Sequence, residues 1–225
     1  MNIKRGFTLA EVLITLAIIG VVAAMTMPGL IGNYRKKEYT IRLQKAVSSW
    51  DNAARLMQAE SMTDYLADRN IEKYLNIVKE EYFDYFSKLK PLVANAQYPA
   101  AVYVDSGSVM AYLTDGTKLY IDLSKNTDLD KDKPIGTVVI DVNGEKPPNQ
   151  TGRDTFFFLV DYTGTLVAYN SSAAVNLYHS ENGANEYWKN NETYCGAANS
   201  KVIPSNTAGS GCAARIIENG WEMDY

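Results

Sequence analysis

Phe7 to Ile31 reads FTLAEVLITLAIIGVVAAMTMPGLI, and these 25 residues carry a single charge, Glu11. At about 1.5 Å of rise per residue, a helix of this length reaches roughly 37 Å, more than the ~30 Å of a bilayer's hydrocarbon core. The run predicts one helix able to span a membrane. From Asn33 onward charges return. The chain of 225 residues thus divides into an apolar N-terminal helix and a soluble remainder.

Three readings compete for the start. Lys4 and Arg5 before the run, with Val22-Ala23-Ala24 inside it, fit a cleaved secretory signal. An ordinary membrane anchor fits as well. Neither accounts for Gly6-Phe7-Thr8-Leu9-Ala10-Glu11. A carboxylate in the first turns of an apolar helix costs several kcal/mol in lipid, of order 3 on insertion scales, unless something pairs with it. One turn onward stand Ile14 and Thr15, which offer no cation. A cut after Gly6 would supply one, the free amine of Phe7, from the same chain or from a neighbouring helix. The positive end of the helix dipole favours Glu11 too.

Lys4-Arg5-Gly6-Phe7-Thr8-Leu9-Ala10-Glu11-Val12-Leu13-Ile14 is similar to the leader and mature start of type IV prepilins and type II secretion pseudopilins. The resemblance covers about the first thirty residues and rests on Gly, Phe, Glu and Pro at fixed spacings in an apolar run. It implies that a prepilin peptidase cuts after Gly6 on the cytoplasmic side and that Phe7 is methylated. It gives Glu11 a role in subunit docking, and Gly20 and Pro28 a stretch of helix that loosens on assembly. The implied organisation is a leader at 1–6, a transmembrane and filament-core helix at 7–31, and a periplasmic or extracellular globular domain at 32–225. The implied location is the bacterial inner membrane, single-pass with the N-terminus cytoplasmic. Homologous subunits and an inner-membrane assembly platform are the implied partners. Arg35, Lys36 and Lys37 follow the span as Lys4 and Arg5 precede it, so the distribution of cations does not set the orientation. Loss of the leader removes two of the 22 basic residues and none of the 26 acidic ones, taking the net charge from −4 to near −6.

Beyond the span, Leu43, Val47, Trp50, Ala54 and Met57 form one apolar stripe at helical spacing. Ile71, Leu75, Val78, Tyr82, Phe86 and Leu89, ending at Pro91, predict a second helix. From Tyr98 the period becomes two. Val109–Leu113 and Lys118–Leu123 flank Asp115-Gly116, a hairpin signal. Thr137–Val142 reads as a third strand, and Thr155–Val160 and Thr165–Tyr169 flank Asp161-Tyr162-Thr163-Gly164 as a second hairpin. The expected fold is α+β, a long helix laid on a small antiparallel sheet, and the pilin resemblance implies the same arrangement.

Cys195 and Cys212 enclose a Gly/Asn/Ser-rich loop, and in an exported protein with no other thiol they are expected to pair. Chemistry finds little to stand on. One histidine, His179, and two cysteines exclude a multi-His or zinc-ribbon centre, and no G-x-S-x-G or phosphate-cradling loop occurs. Asp128-x-Asp130-x-Asp132 begins like a calcium loop, but Lys133 and Val139 occupy the places of its Gly and Glu. Asp141, Asn143 and, further on, Asp154 fail the same test through Lys146 and Gly152. A calcium loop of another design on those three residues stands as the alternative to a plain Asn-Gly turn. No cofactor is otherwise expected, and net negative charge argues against nucleic acid as a partner. The leading function is a non-enzymatic filament subunit. The alternative is a minor or tip subunit whose Tyr-rich, disulfide-closed C-terminal region binds a surface, DNA or a secreted substrate.

Overall fold

A computed structural model describes residues 7–62, 71, 75, 77–82, 109–123, 134–144, 146–148, 150–169, 195 and 209–225. The chain forms two compact units, Met1–Glu38 and Tyr39–Tyr225. Helix α1 (Leu9–Ser61) contributes to both. In the first unit none of residues 7–31 is buried, although most are large and apolar. Pro28 lies inside the helix, where its missing N–H leaves the carbonyl four residues earlier, that of Ala24, without its helical donor.

In the second unit the remaining turns of α1 bury Leu43, Ala46, Trp50, Ala53, Ala54 and Met57, the stripe expected from the spacing of apolar residues, with Val47 half-buried beside it. The helix ends at Ser61, and Met62 takes a left-handed φ of 54°. Among the described residues six strands follow: β1 (Ile77–Tyr82), β2 (Val109–Leu113), β3 (Lys118–Leu123), β4 (Gly136–Asp141), β5 (Thr155–Val160) and β6 (Leu166–Ala168). They pair in sequence order, every pair antiparallel, as one sheet. A short helix, α2 (Cys212–Glu218), closes the unit.

Alternation along the strands makes the core. Leu119 and Ile121, Val138 and Ile140, and Phe156, Phe158 and Val160 share one buried cluster with Leu43, Trp50 and Met57 of α1. The intervening Val139, Phe157 and Leu159 are buried as well, so these central strands are covered on both faces. Trp50 is fully buried, and its indole N–H donates to the Gly164 carbonyl at 2.8 Å. Gln58 Nε2 donates to the Thr163 carbonyl at 2.7 Å, fixing the β5–β6 turn on the helix.

Both hairpins stand where the sequence placed them. Gly116 takes φ +85°, which a side chain rarely adopts, and its N–H closes the turn on the Leu113 carbonyl at 2.9 Å. In the β5–β6 turn, Asp161 Oδ1 accepts from the N–H groups of Thr163 and Thr165 at 2.9 and 2.8 Å. Strand β4 begins and ends one residue earlier than expected, and β6 is shorter.

One expectation fails. The helix predicted from Ile71 onward is replaced over Ile77–Tyr82 by strand β1, paired with β2 from Ile77↔Leu113 to Tyr82↔Val109. Only Val78 and Tyr82 of the expected stripe fall within these six residues, and so short a run cannot distinguish the two periods. The ladder offered by β2, some thirty residues away, decides the outcome. Ile71 and Leu75 are buried, whereas Phe86, Leu89 and Pro91 lie outside the described residues.

Candidate functional site

The start of α1 is held by two residues. Thr8 precedes the first helical residue, and its N–H and hydroxyl both donate to Glu11 Oε2 at 2.8 Å. The Glu11 N–H returns to Thr8 Oγ1 at 3.3 Å. Thr8-Leu9-Ala10-Glu11 is thus a capping box, a T-x-x-E pattern that satisfies two of the helix's unpaired N–H groups reciprocally. Sequence reasoning singled out Glu11 and passed over Thr8, although the three-residue spacing was there to be read. The carboxylate is consequently fixed in the first turn of the helix, four residues beyond the exposed Phe7. Gly6 lies outside the described residues. Gly20 faces open space.

The second unit carries a polar knot where β4 leads into β5. Asp141 Oδ1 accepts from the N–H groups of Asn143 and Gly144 at 3.2 and 2.9 Å. Asn143 Nδ2 donates to Asp154 Oδ2 at 3.0 Å and to the Tyr39 hydroxyl at 3.3 Å. The Gln150 N–H donates to the other oxygen of Asp154. Arg42 Nη1 reaches the Val142 carbonyl at 3.2 Å, so α1 grips this loop twice. The buried Lys118 stands opposite Asp141 in the β3–β4 register, its ammonium 4.9 Å from the centre of the Tyr112 ring.

The three residues named as a calcium alternative are therefore together. A hard cation needs six to eight oxygens directed inward. Here the carboxylate oxygens accept internal N–H groups, Asn143 presents its nitrogen to Asp154, and an ammonium accompanies Asp141. Among the described residues no three His, Cys, Asp or Glu side chains are grouped to hold a metal. Asp128, Asp130, Asp132 and His179 lie outside the described residues.

Burial, and next the charge of Asp154, push the Asp141 carboxyl up to about 7, against the pull of the Asn143 and Gly144 N–H groups and of Lys118. The neutral form is thus favoured in the fold relative to an unfolded Asp near 3.9. Its contribution to stability is complete below about pH 4 and is lost as pH rises through about 7. Between pH 5 and 8 the second unit is expected to lose about 2–3 kcal/mol. Thermal unfolding across this interval should show Tm falling, and Asp141→Asn should flatten the slope. A Tm that rises with pH would show the carboxylate ionised throughout.

Cys195 and Cys212 form the expected disulfide, with both residues buried and their Cα atoms 4.5 Å apart. Residues 196–208, inside the loop it closes, lie outside the described residues. Cys212 opens α2 and rests against Gly152: a Cβ built there would meet its Sγ at 2.6 Å and Gly209 Cα at 2.9 Å. The Tyr225 hydroxyl donates to the Gly152 carbonyl at 2.7 Å, and burial pushes that phenol up. Arg215 clamps Asp224 with two bonds of 2.7 and 2.8 Å and stacks over Tyr225. A cleft beside α1 is lined by Asp51, Arg55, Gln58, Thr163 and Thr165. Among the described residues that line it there is no histidine or cysteine to pair with a hydroxyl, as acyl-transfer chemistry would need.

Residues 1–27 match the family described as the prokaryotic N-terminal methylation motif. The chain is 27% identical over 125 residues to a type IV major alpha-pilin of Moraxella bovis, a match covering 56% of this chain and 77% of that protein. It is 47% identical over 45 residues to the type II secretion system core protein G of Escherichia coli (strain K12), covering 20% of this chain and 28% of that protein. No solved structure matches. The resemblance read from Lys4 to Ile14 is borne out: the chain carries a prepilin-type methylation motif and is related to a type IV pilin and to a secretion pseudopilin.

Proposed function

We propose that this chain is a non-enzymatic filament subunit of a type IV pilus or a type II secretion pseudopilus. In this reading residues 1–6 are a leader removed by a prepilin peptidase, and Phe7 becomes the methylated terminus. Residues 7–31 hold the subunit in the inner membrane, with 32–225 on the far side, until an assembly platform passes it into a filament of homologous subunits. The observation that carries the proposal is an apolar helix buried nowhere along residues 7–31 and headed by a fixed carboxylate. The same face can meet lipid first and other copies of the helix afterwards.

Glu11 supplies direction. An ionised carboxylate among apolar helices is tolerable beside a cation, and the Phe7 amine of an adjacent subunit provides one at the same depth. Pro28 supplies compliance, since a helix already lacking one backbone bond extends there at least cost. No cofactor or catalytic group is required.

The N-terminal mass of the protein purified from its native host tests the reading. The expected terminus is methylated Phe7. A terminus at Met25, left by an ordinary signal peptidase, would overturn it, because such a product has lost Glu11 and most of the apolar helix.

A further inference from the structure

Arg35, Lys36 and Lys37 follow the apolar run within two turns of α1, directly after the exposed Tyr34. From Leu9 to Ile31 the helix rises about 33 Å, close to the hydrocarbon thickness. Tyr34 then stands about 4–5 Å and the three cations about 6–9 Å further along the axis, at headgroup depth. Successive residues of an α-helix point about 100° apart. Tyr34, Arg35, Lys36 and Lys37 therefore encircle the helix instead of marking one side of it. Arg35 and Lys37 are exposed and Lys36 is half-buried.

The encirclement selects among partners. A protein docking on one side of α1 would meet one or two of these cations and leave the rest unused. A headgroup layer surrounds the helix and meets all of them. The long side chains carry their charge outward while their stems stay on apolar surface, and tyrosine suits the same boundary. We infer that Tyr34, Arg35, Lys36 and Lys37 form a collar that gathers anionic phospholipid headgroups around the end of the span. This rests on the membrane-anchored stage of the proposed function and holds for either orientation. The collar would give the subunit a second hold on the membrane, electrostatic where the first is apolar, which must be released when the helix leaves lipid.

The test uses the full chain reconstituted in phosphatidylcholine vesicles containing trace spin-labelled phosphatidylglycerol or phosphatidylcholine. The motionally restricted fraction of each label reports the lipids held at the protein. Wild type should hold phosphatidylglycerol severalfold over phosphatidylcholine, and raised salt should weaken the preference. The triple change Arg35→Gln, Lys36→Gln, Lys37→Gln should reduce the ratio at least twofold, while Lys36→Arg with Lys37→Arg should preserve it. Equal restriction of the two labels by wild type would overturn the collar. An undiminished ratio in the triple variant would do the same, assigning the preference to other cations such as Lys4 and Arg5. A chain that fails to float with the vesicles would overturn the anchored stage itself, a result distinct from floating without lipid preference.

Discussion

Glu11→Gln is expected to leave a processed, folded, membrane-bound subunit that enters filaments at least tenfold less often than wild type. The substitution separates two roles of the side chain. Glutamine at the third helical position still returns a hydrogen bond to the Thr8 N–H, so the capping box survives. What disappears is the charge, and with it any attraction to the Phe7 amine of a neighbouring subunit. A tenfold change corresponds to about 1.4 kcal/mol, less than such a pair is worth away from water. Glu11→Ala removes both roles and should assemble no better. Thr8→Val removes the cap but keeps the charge, and should lower incorporation far less. The measurement is the ratio of sheared filament to membrane-retained subunit. If Glu11→Gln leaves that ratio unchanged, Glu11 serves the helix start alone, and docking must rest on other groups.

Gly152→Ala is expected to destabilise the second unit by about 3 kcal/mol or more. Two costs add. Gly152 takes φ +79°, a left-handed conformation costing an L-residue about 1–2 kcal/mol. The new Cβ would also lie 2.6 Å from Cys212 Sγ and 2.9 Å from both Gly209 Cα and its carbonyl oxygen. Two of these three neighbours are backbone, and the third is a sulfur tied to Cys195, so none can swing aside. Relief would require the β4–β5 loop to part from α2, breaking the Tyr225 bond to the Gly152 carbonyl. Denaturant unfolding of the oxidised protein measures the loss. A ΔΔG below about 1 kcal/mol would mean that this junction yields easily.

Much of the fold was legible because it is locally encoded. Asp115-Gly116 and Asp161-Tyr162-Thr163-Gly164 each mark a turn whose own backbone needs those residues, and period-two runs flank both. The stripe Leu43, Trp50, Ala54, Met57 lies on one face of a helix long enough for its period to be unambiguous. What escaped depends on distant partners. Strand β1 exists through its ladder to β2, and nothing within Ile77–Tyr82 announces that ladder. The approach of Gly152 to Cys212 joins residues sixty apart in sequence, so the glycine reads only as an inconvenient occupant of a calcium-loop position. Asp141, Asn143 and Asp154 were rightly suspected of gathering. Whether they face a cation or one another's N–H groups depends on side-chain direction, which spacing does not carry. Thr8, by contrast, is locally encoded: its three-residue spacing to Glu11 is a capping box on its own.

The sequential order of the six strands bears on how the chain acquires its shape. Every strand pairs with its neighbour in sequence, so the sheet can grow hairpin by hairpin, each step closing one loop between consecutive strands. The long closures are those of α1 onto the sheet, where Arg42 meets Val142 and Trp50 meets Gly164 more than ninety residues away. Contacts of such separation are the slow ones. The helix is made first and its sheet last, so a nascent subunit holds the stripe from Leu43 to Met57 uncovered until β5 and β6 arrive. During that interval the stripe is an aggregation-prone surface of the second unit, and a holding factor would find a target there.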